Sequence, residues 1–210
     1  MRKLLFSCLS LFFMLSCVQE VEASSLENLA KTWQKRLGKD FTVLVEAPFV
    51  VVGDEAPTQV KARAKHTVRW SVKMLKDAYF ALDPKKTITI FLFKDAQSYR
   101  LHALKLFGDK PHTPYGYYTD RHRALVMNIA TGGGTLVHEI VHPFVDANFP
   151  NCPPWFNEGL GSLYEQCAEE DGRIIGRTNW RLAGLKEAIS DDTLPTIELL
   201  CGMDEETFYG

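Results

Sequence analysis

His138-Glu139-Ile140-Val141-His142, followed by Pro154-Trp155-Phe156-Asn157-Glu158-Gly159 and closed by Glu165, is the stretch that decides how this chain is read. One helical turn takes about 3.6 residues, so histidines four apart leave a helix from the same face. Their imidazoles can share a tetrahedral Zn2+, with Glu139 beside them to take a proton from water at the metal. A tetrahedral site that keeps one position open needs a third protein ligand, and Glu158 on a following helix is the candidate. Upstream, Thr131-Gly132-Gly133-Gly134 breaks the preceding segment. Thr135 can cap the next helix, with Leu136, Val137, Ile140 and Val141 as its apolar positions. Trp155, Phe156, Leu160, Leu163 and Tyr164 give the second helix a face to bury. The expectation is a zinc hydrolase site, and a metallopeptidase acting on a peptide or protein is the form it best fits.

Other zinc classes fit these residues less well. A metzincin pattern needs a glycine three and a histidine six residues after the second ligand, where this chain has Val145 and Asn148. Asp146 lies one turn beyond His142, but one straight helix does not easily wrap three ligands around one ion, so Glu158 is preferred. Pro143 directly follows the second histidine. It removes the helical bond to the carbonyl of Glu139, at a cost of about 3 kcal/mol if unrelieved, and predicts a kink or a helix end within another turn.

At these residues the chain resembles the gluzincins, zinc peptidases whose third ligand is a glutamate on a second helix. The run from Trp155 to Glu165 is similar to the ligand helix of their aminopeptidase branch and of small bacterial peptidase MA-like proteins. The resemblance implies His138, His142 and Glu158 on zinc and Glu139 as general base. It matches Glu165 to a glutamate that buttresses a zinc histidine; residues seven apart lie on one helix face, which would allow that contact. A solvated helix end before Glu169, Glu170 and Asp171 is the other reading of Glu165. Relatives usually complete oxyanion stabilisation with a downstream Tyr or His, and Tyr209 is the one tyrosine after Tyr164. The implied fold is α+β and zincin-like, a small mostly antiparallel sheet packed on helices. Its strand before the zinc helix would form the cleft's upper edge, where an extended substrate pairs. By the same analogy a further helix would follow Leu194–Leu200, so the chain is expected to be truncated at its C-terminus.

Met1-Arg2-Lys3 and the apolar run Leu4–Ser16 have the form of a signal peptide, too short for a membrane span of about 20 residues. Met14-Leu15-Ser16-Cys17 resembles a bacterial lipobox and predicts an exported envelope lipoprotein anchored through lipidated Cys17. Cleavage after Ala23, releasing a soluble secreted or periplasmic chain, is the alternative. The expected organisation is a signal segment over 1–16 (or 1–23), a tether with a short helix over 17–40, and one domain over 41–210. A net charge of −2 without a basic run argues against a nucleic-acid partner. Cys152, Cys167 and Cys201 remain beyond the signal, an odd number, with pairing open among them.

Along the domain, Phe41–Glu46 and Phe49–Val52 read as strands. Pro57 opens a long helix to about Leu82, with Val68, Val72, Leu75, Tyr79 and Leu82 as its stripe. Thr87–Phe93 is the clearest strand, and Asp95 caps a helix through Leu106. Gly116–Tyr118 and Ala124–Ile129 are strands around a turn at Asp120–Arg123, the second leading into the glycines. No lysine follows those glycines in phosphate-loop register, so they read as a tight strand-to-helix connection. His66, His102, His112 and His122 are expected to be surface or core residues, although His112 and His122 sit in loops near the cleft. The rival to an enzyme is an exported lipoprotein that uses the same cleft to bind peptides or cell-wall fragments without catalysis.

Overall fold

The computed structural model describes residues 23–210; the signal segment and Cys17 lie outside them. Within this range the molecule is mixed α/β. A five-stranded sheet runs in the order β1-β2-β3-β5-β4, built from β1 (Thr42–Glu46), β2 (Phe49–Gly53), β3 (Ile88–Phe93), β4 (Gly116–Thr119) and β5 (Ala124–Asn128). The outer pairs β1–β2 and β4–β5 are antiparallel, whereas β2–β3 and β3–β5 are parallel. The sheet is therefore mixed, not mostly antiparallel as the sequence suggested. The reason lies in the connections: β2 reaches β3 through helices α2 (Pro57–Arg63) and α3 (Trp70–Ala78), and β3 reaches β5 by way of α4 (Ala96–Phe107) and the edge strand β4. Parallel neighbours require such crossovers.

Helices cover both faces of this sheet. In β3, Ile88, Ile90 and Leu92 point to one core, shared with Val60, Val68 and Leu75 of the α2–α3 segment and with Leu136, Ile140 and Phe144. Phe91 and Phe93 point to the other, shared with Tyr99 and Phe107 of α4 and with Leu26 and Ala30 of α1, the helical stretch 23–37. Strands buried on both sides carry near-continuous apolar runs, which is why β2 reads Phe-Val-Val-Val and β3 reads Ile-Thr-Ile-Phe-Leu-Phe. The one polar residue inside β3, Thr89, accepts a hydrogen bond from the indole of Trp33.

The long second helix is continuous in outline but widens into a π-helical stretch at Ala64–Arg69 before resuming as α3. It ends at Ala78, so Val68, Val72 and Leu75 are buried as expected while Tyr79 and Leu82 lie beyond the helix and are exposed. Asp95 caps α4 by accepting from the Ser98 amide, and Gly108 closes that helix in the left-handed conformation at φ 77°. Downstream come α5 (Gly134–Asn148), α6 (Pro154–Glu165), the hairpin β6 (Cys167–Glu170) with β7 (Arg173–Gly176), and three short helices α7 (Arg181–Ser190), α8 (Ile197–Gly202) and α9 (Glu205–Tyr209). No residue of α7, α8 or α9 is buried.

Candidate metal centre

Strand β5 feeds the site directly. It passes through a short turn at Ile129–Thr131 into Gly132, whose φ of 110° is one that L side chains rarely adopt, and α5 begins two residues later. Gly133, not Thr135, occupies the N-cap, and no side chain caps the helix. Gly134 has a different function. A β-carbon there would collide with the backbone carbonyl of Glu165, so the start of α5 and the end of α6 touch backbone to side-chain-free backbone. The triple glycine is thus a close-approach device as well as a turn.

With α5 seated, Leu136, Val137, Ile140, Val141 and Phe144 face the sheet, and the two histidines face α6. Pro143 sits inside the helix, which continues five residues beyond it to Asn148 before ending. Helix α6 opens with Pro154 in its first turn, a position where a missing N–H costs nothing. Gly161 brings α6 against the first histidine: a β-carbon there would lie 3.0 Å from Cε1 and Nδ1 of His138.

The three expected ligands converge. Nε2 of His138 lies 3.4 Å from Glu158 Oε2, and Nε2 of His142 lies 3.9 Å from Glu158 Oε1. One donor atom from each residue falls within 4.8 Å of the others. Ligands at about 2.0–2.2 Å around a tetrahedral ion stand about 3.3–3.5 Å apart, so this group can close on a metal with small side-chain adjustments. Hydrogen bonding to His138 is the main influence that holds the Glu158 carboxyl down, to about 2. It is therefore ionised, as a ligand must be. His138 is buried; its second nitrogen, Nδ1, has no hydrogen-bond partner. Nδ1 of His142 pairs with Asn157 Oδ1 at 2.9 Å, and a ring nitrogen engaged in this way leaves the other free to coordinate.

Glu139 is adjacent and partly buried. Desolvation pushes its carboxyl above the usual range; the neighbouring His142 and His138 oppose this, and the carboxylates of Glu158 and Glu165 add to it. It carries no hydrogen bond to another side chain among the described residues.

No protein-family model matches this chain, and no curated protein matches it.

Two sequence-derived roles look different in place. Glu165 is buried, but it touches neither histidine by hydrogen bond: its carboxylate accepts from the indole of Trp180 at 3.3 Å and from Arg181 Nε at 2.9 Å. The end of α6 turns toward the start of α7, and Glu165 ties the two together. Tyr209, 51 residues after Glu158 in sequence, does reach the metal group. There its phenol donates to Glu158 Oε1 at 2.9 Å. The remaining histidines stand apart from the group. His102 packs against Phe41 and Phe93, and His122 packs against Phe107. Cys152, Cys167 and Cys201 are free thiols, and burial pushes that of Cys167 up to about 11. Asn157 is the residue the sequence reading missed. Its signal was adjacency: the side chain before Glu158 on α6 lies close enough to the facing helix to pair with His142.

A cavity of about 380 Å³ opens beside the group, lined by His142, Asn157, Asp146, Tyr118 and Glu205 among others. A second, of about 400 Å³, lies at the start of α5 between Trp70, Tyr115, Trp180 and the glycines. Edge strand β4 and the residue before it border both cavities, with Tyr115 at one and Tyr118 at the other. Both volumes fall in the range of ligand pockets.

Proposed function

We propose that this chain is a zinc-dependent metallopeptidase of gluzincin type, with a zincin-like fold and its domain exported by the N-terminal segment and anchored through Cys17. The observation that carries the reading is the convergence of His138, His142 and Glu158 beside a desolvated Glu139 that is not tied to another side chain. The donor set of two imidazoles and one carboxylate suits Zn2+, which when bound polarises a carbonyl and acidifies coordinated water.

His138, His142 and Glu158 would hold the metal, with Asn157 orienting the ring of His142. Glu139 would take the proton of the attacking water on its carboxylate and deliver it to the nitrogen of the leaving amine as the C–N bond breaks. Burial favours this assignment, because a carboxyl with a raised pKa is a stronger base and a better donor near neutrality than an exposed one. The cavity beside His142, bordered by Tyr118 of β4, suits an extended peptide lying along that edge; β4 is the free edge of the sheet there, since β5, the strand expected in this role, lies inside it.

The test is zinc content and peptide hydrolysis of the purified protein, measured before and after removal of metal by a chelator and again after Zn2+ is restored. About one zinc per chain and chelator-sensitive, zinc-restored cleavage of a broad peptide library are expected. Zinc bound without hydrolysis of any peptide would leave a binding lipoprotein as the better reading.

A further inference from the structure

Glu158 is the one charged ligand of the metal group, and a carboxylate can turn about its last bond and present either oxygen. In this structure the two oxygens are distinguished. Oε2 is the nearer to His138 Nε2, at 3.4 Å, while Oε1 accepts the phenol proton of Tyr209 at 2.9 Å. No other hydrogen bond restrains this side chain among the described residues, apart from the facing imidazoles themselves.

We propose that Tyr209 is a positioning residue of the metal group: its hydroxyl holds Oε1 of Glu158 and so presents Oε2 to the ion. This rests on the metal-binding part of the proposed function and on none of its catalytic part. Tyr209 serves Glu158 as Asn157 serves His142, and groups that orient ligands in this way typically change metal affinity by about 10–100-fold. A phenol has a single proton to donate. While Tyr209 gives it to Glu158, it does not give it to a substrate oxyanion, so the positioning role competes with the oxyanion role expected from the sequence.

The surroundings of α9 extend the inference. No residue of α9 is buried, and Tyr209 itself is 57 % exposed. Little packing holds the helix, and the bond to Glu158 is its one side-chain hydrogen bond to another element among the described residues. Coupling between two sites is reciprocal. Metal at Glu158 must then favour docking of α9 to the same extent that docked α9 favours metal.

The experiment compares full-length wild type with Tyr209→Phe, which keeps the ring and removes the hydroxyl. Zn2+ affinity is measured by competition with a chromophoric chelator, and amide exchange across Glu205–Tyr209 is followed with and without Zn2+. The expected result is a Zn2+ affinity at least about 10-fold weaker in Tyr209→Phe, with an unchanged melting temperature. Zn2+ should slow exchange in α9 in wild type and have less effect in the variant. Equal Zn2+ affinities would overturn the proposal. Unchanged Zn2+ affinity with lower turnover at saturating Zn2+ would overturn it in favour of a phenol that acts on substrate. A wild type that takes up no Zn2+ would overturn both this inference and the metal reading, whereas a metal-binding protein without peptidase activity would leave this inference standing.

Discussion

The segment from β5 through α6 and the segment from α7 through α9 meet at the same site but are built in opposite ways. In the first, eight residues of α5 are buried, and glycines at 134 and 161 allow helix and imidazole to approach at van der Waals limits. In the second, no helical residue is buried, and apolar side chains such as Leu185, Ile189 and Ile197 stand exposed. The later helices are attached by polar contacts to the earlier ones: Trp180 and Arg181 to Glu165, Asn179 to the carbonyl of Ser162, and Tyr209 to Glu158. The difference teaches that the three candidate ligands are placed by packing, while the C-terminal helices are joined to the packed part by hydrogen bonds.

The comparison can be broken most forcefully at Glu139. If the packed segment contains the chemistry, Glu139→Gln should lower peptide turnover by at least about 10²-fold while leaving zinc content and melting temperature unchanged. Turnover equal to wild type would remove the general base from the mechanism. Next in size is Phe144, fully buried between Phe49 and Phe80. Phe144→Ala should cost about 3–5 kcal/mol in urea unfolding, whereas Ile189→Ala on α7 should stay within about 0.5 kcal/mol. Comparable losses at the two positions would erase the contrast between the segments. Gly134→Ala tests the close approach and should cost about 1–3 kcal/mol, since the obstacle is backbone and cannot rotate away. A neutral result would mean that α5 and α6 have room to separate.

The smallest effect is on pH dependence. Glu158 has a folded pKa of about 2, below its ordinary value near 4.5. The stability it contributes is therefore present above about 4.5 and lost as pH falls toward 2. In metal-free protein, the advantage of wild type over Glu158→Gln should narrow across that window, by less than about 1 kcal/mol because solvent reaches the pair. Urea midpoints at pH 6, 4 and 3 would show it, and a constant difference would mean the carboxylate is not stabilised by its neighbours.

What the sequence disclosed follows the range of each interaction. The spacing of His138 and His142, the helix around them and the choice of Glu158 all depend on periodicity within one or two elements, and these came together as expected. The parallel pairing of β2, β3 and β5 is signalled by apolar runs such as Ile88–Phe93, which suit strands covered on both faces, whereas the resemblance implies a mostly antiparallel sheet. The hairpin at Cys167–Gly176 has little signature in the sequence, because its strands are short and its first is half charged. The partners of Glu165 and Asn157 were not legible for a different reason. Seven-residue spacing puts Glu165 on the face of Glu158, but it does not say that α6 turns away and that Trp180 and Arg181 arrive first.

The unpartnered Nδ1 of His138 sets this ring apart from His142 in the group they share with Glu158. Coordination through Nε2 requires a neutral ring with its hydrogen on Nδ1, and at His138 that N–H lies against Gly161 with no acceptor. At His142 the same hydrogen is received by Asn157. An unmet buried donor costs about 1–3 kcal/mol, so the two imidazoles would differ as ligands although their sequence context looks symmetrical. A substitution that supplied an acceptor to the Nδ1 hydrogen of His138 would remove that cost, whereas His142 already has its partner in Asn157.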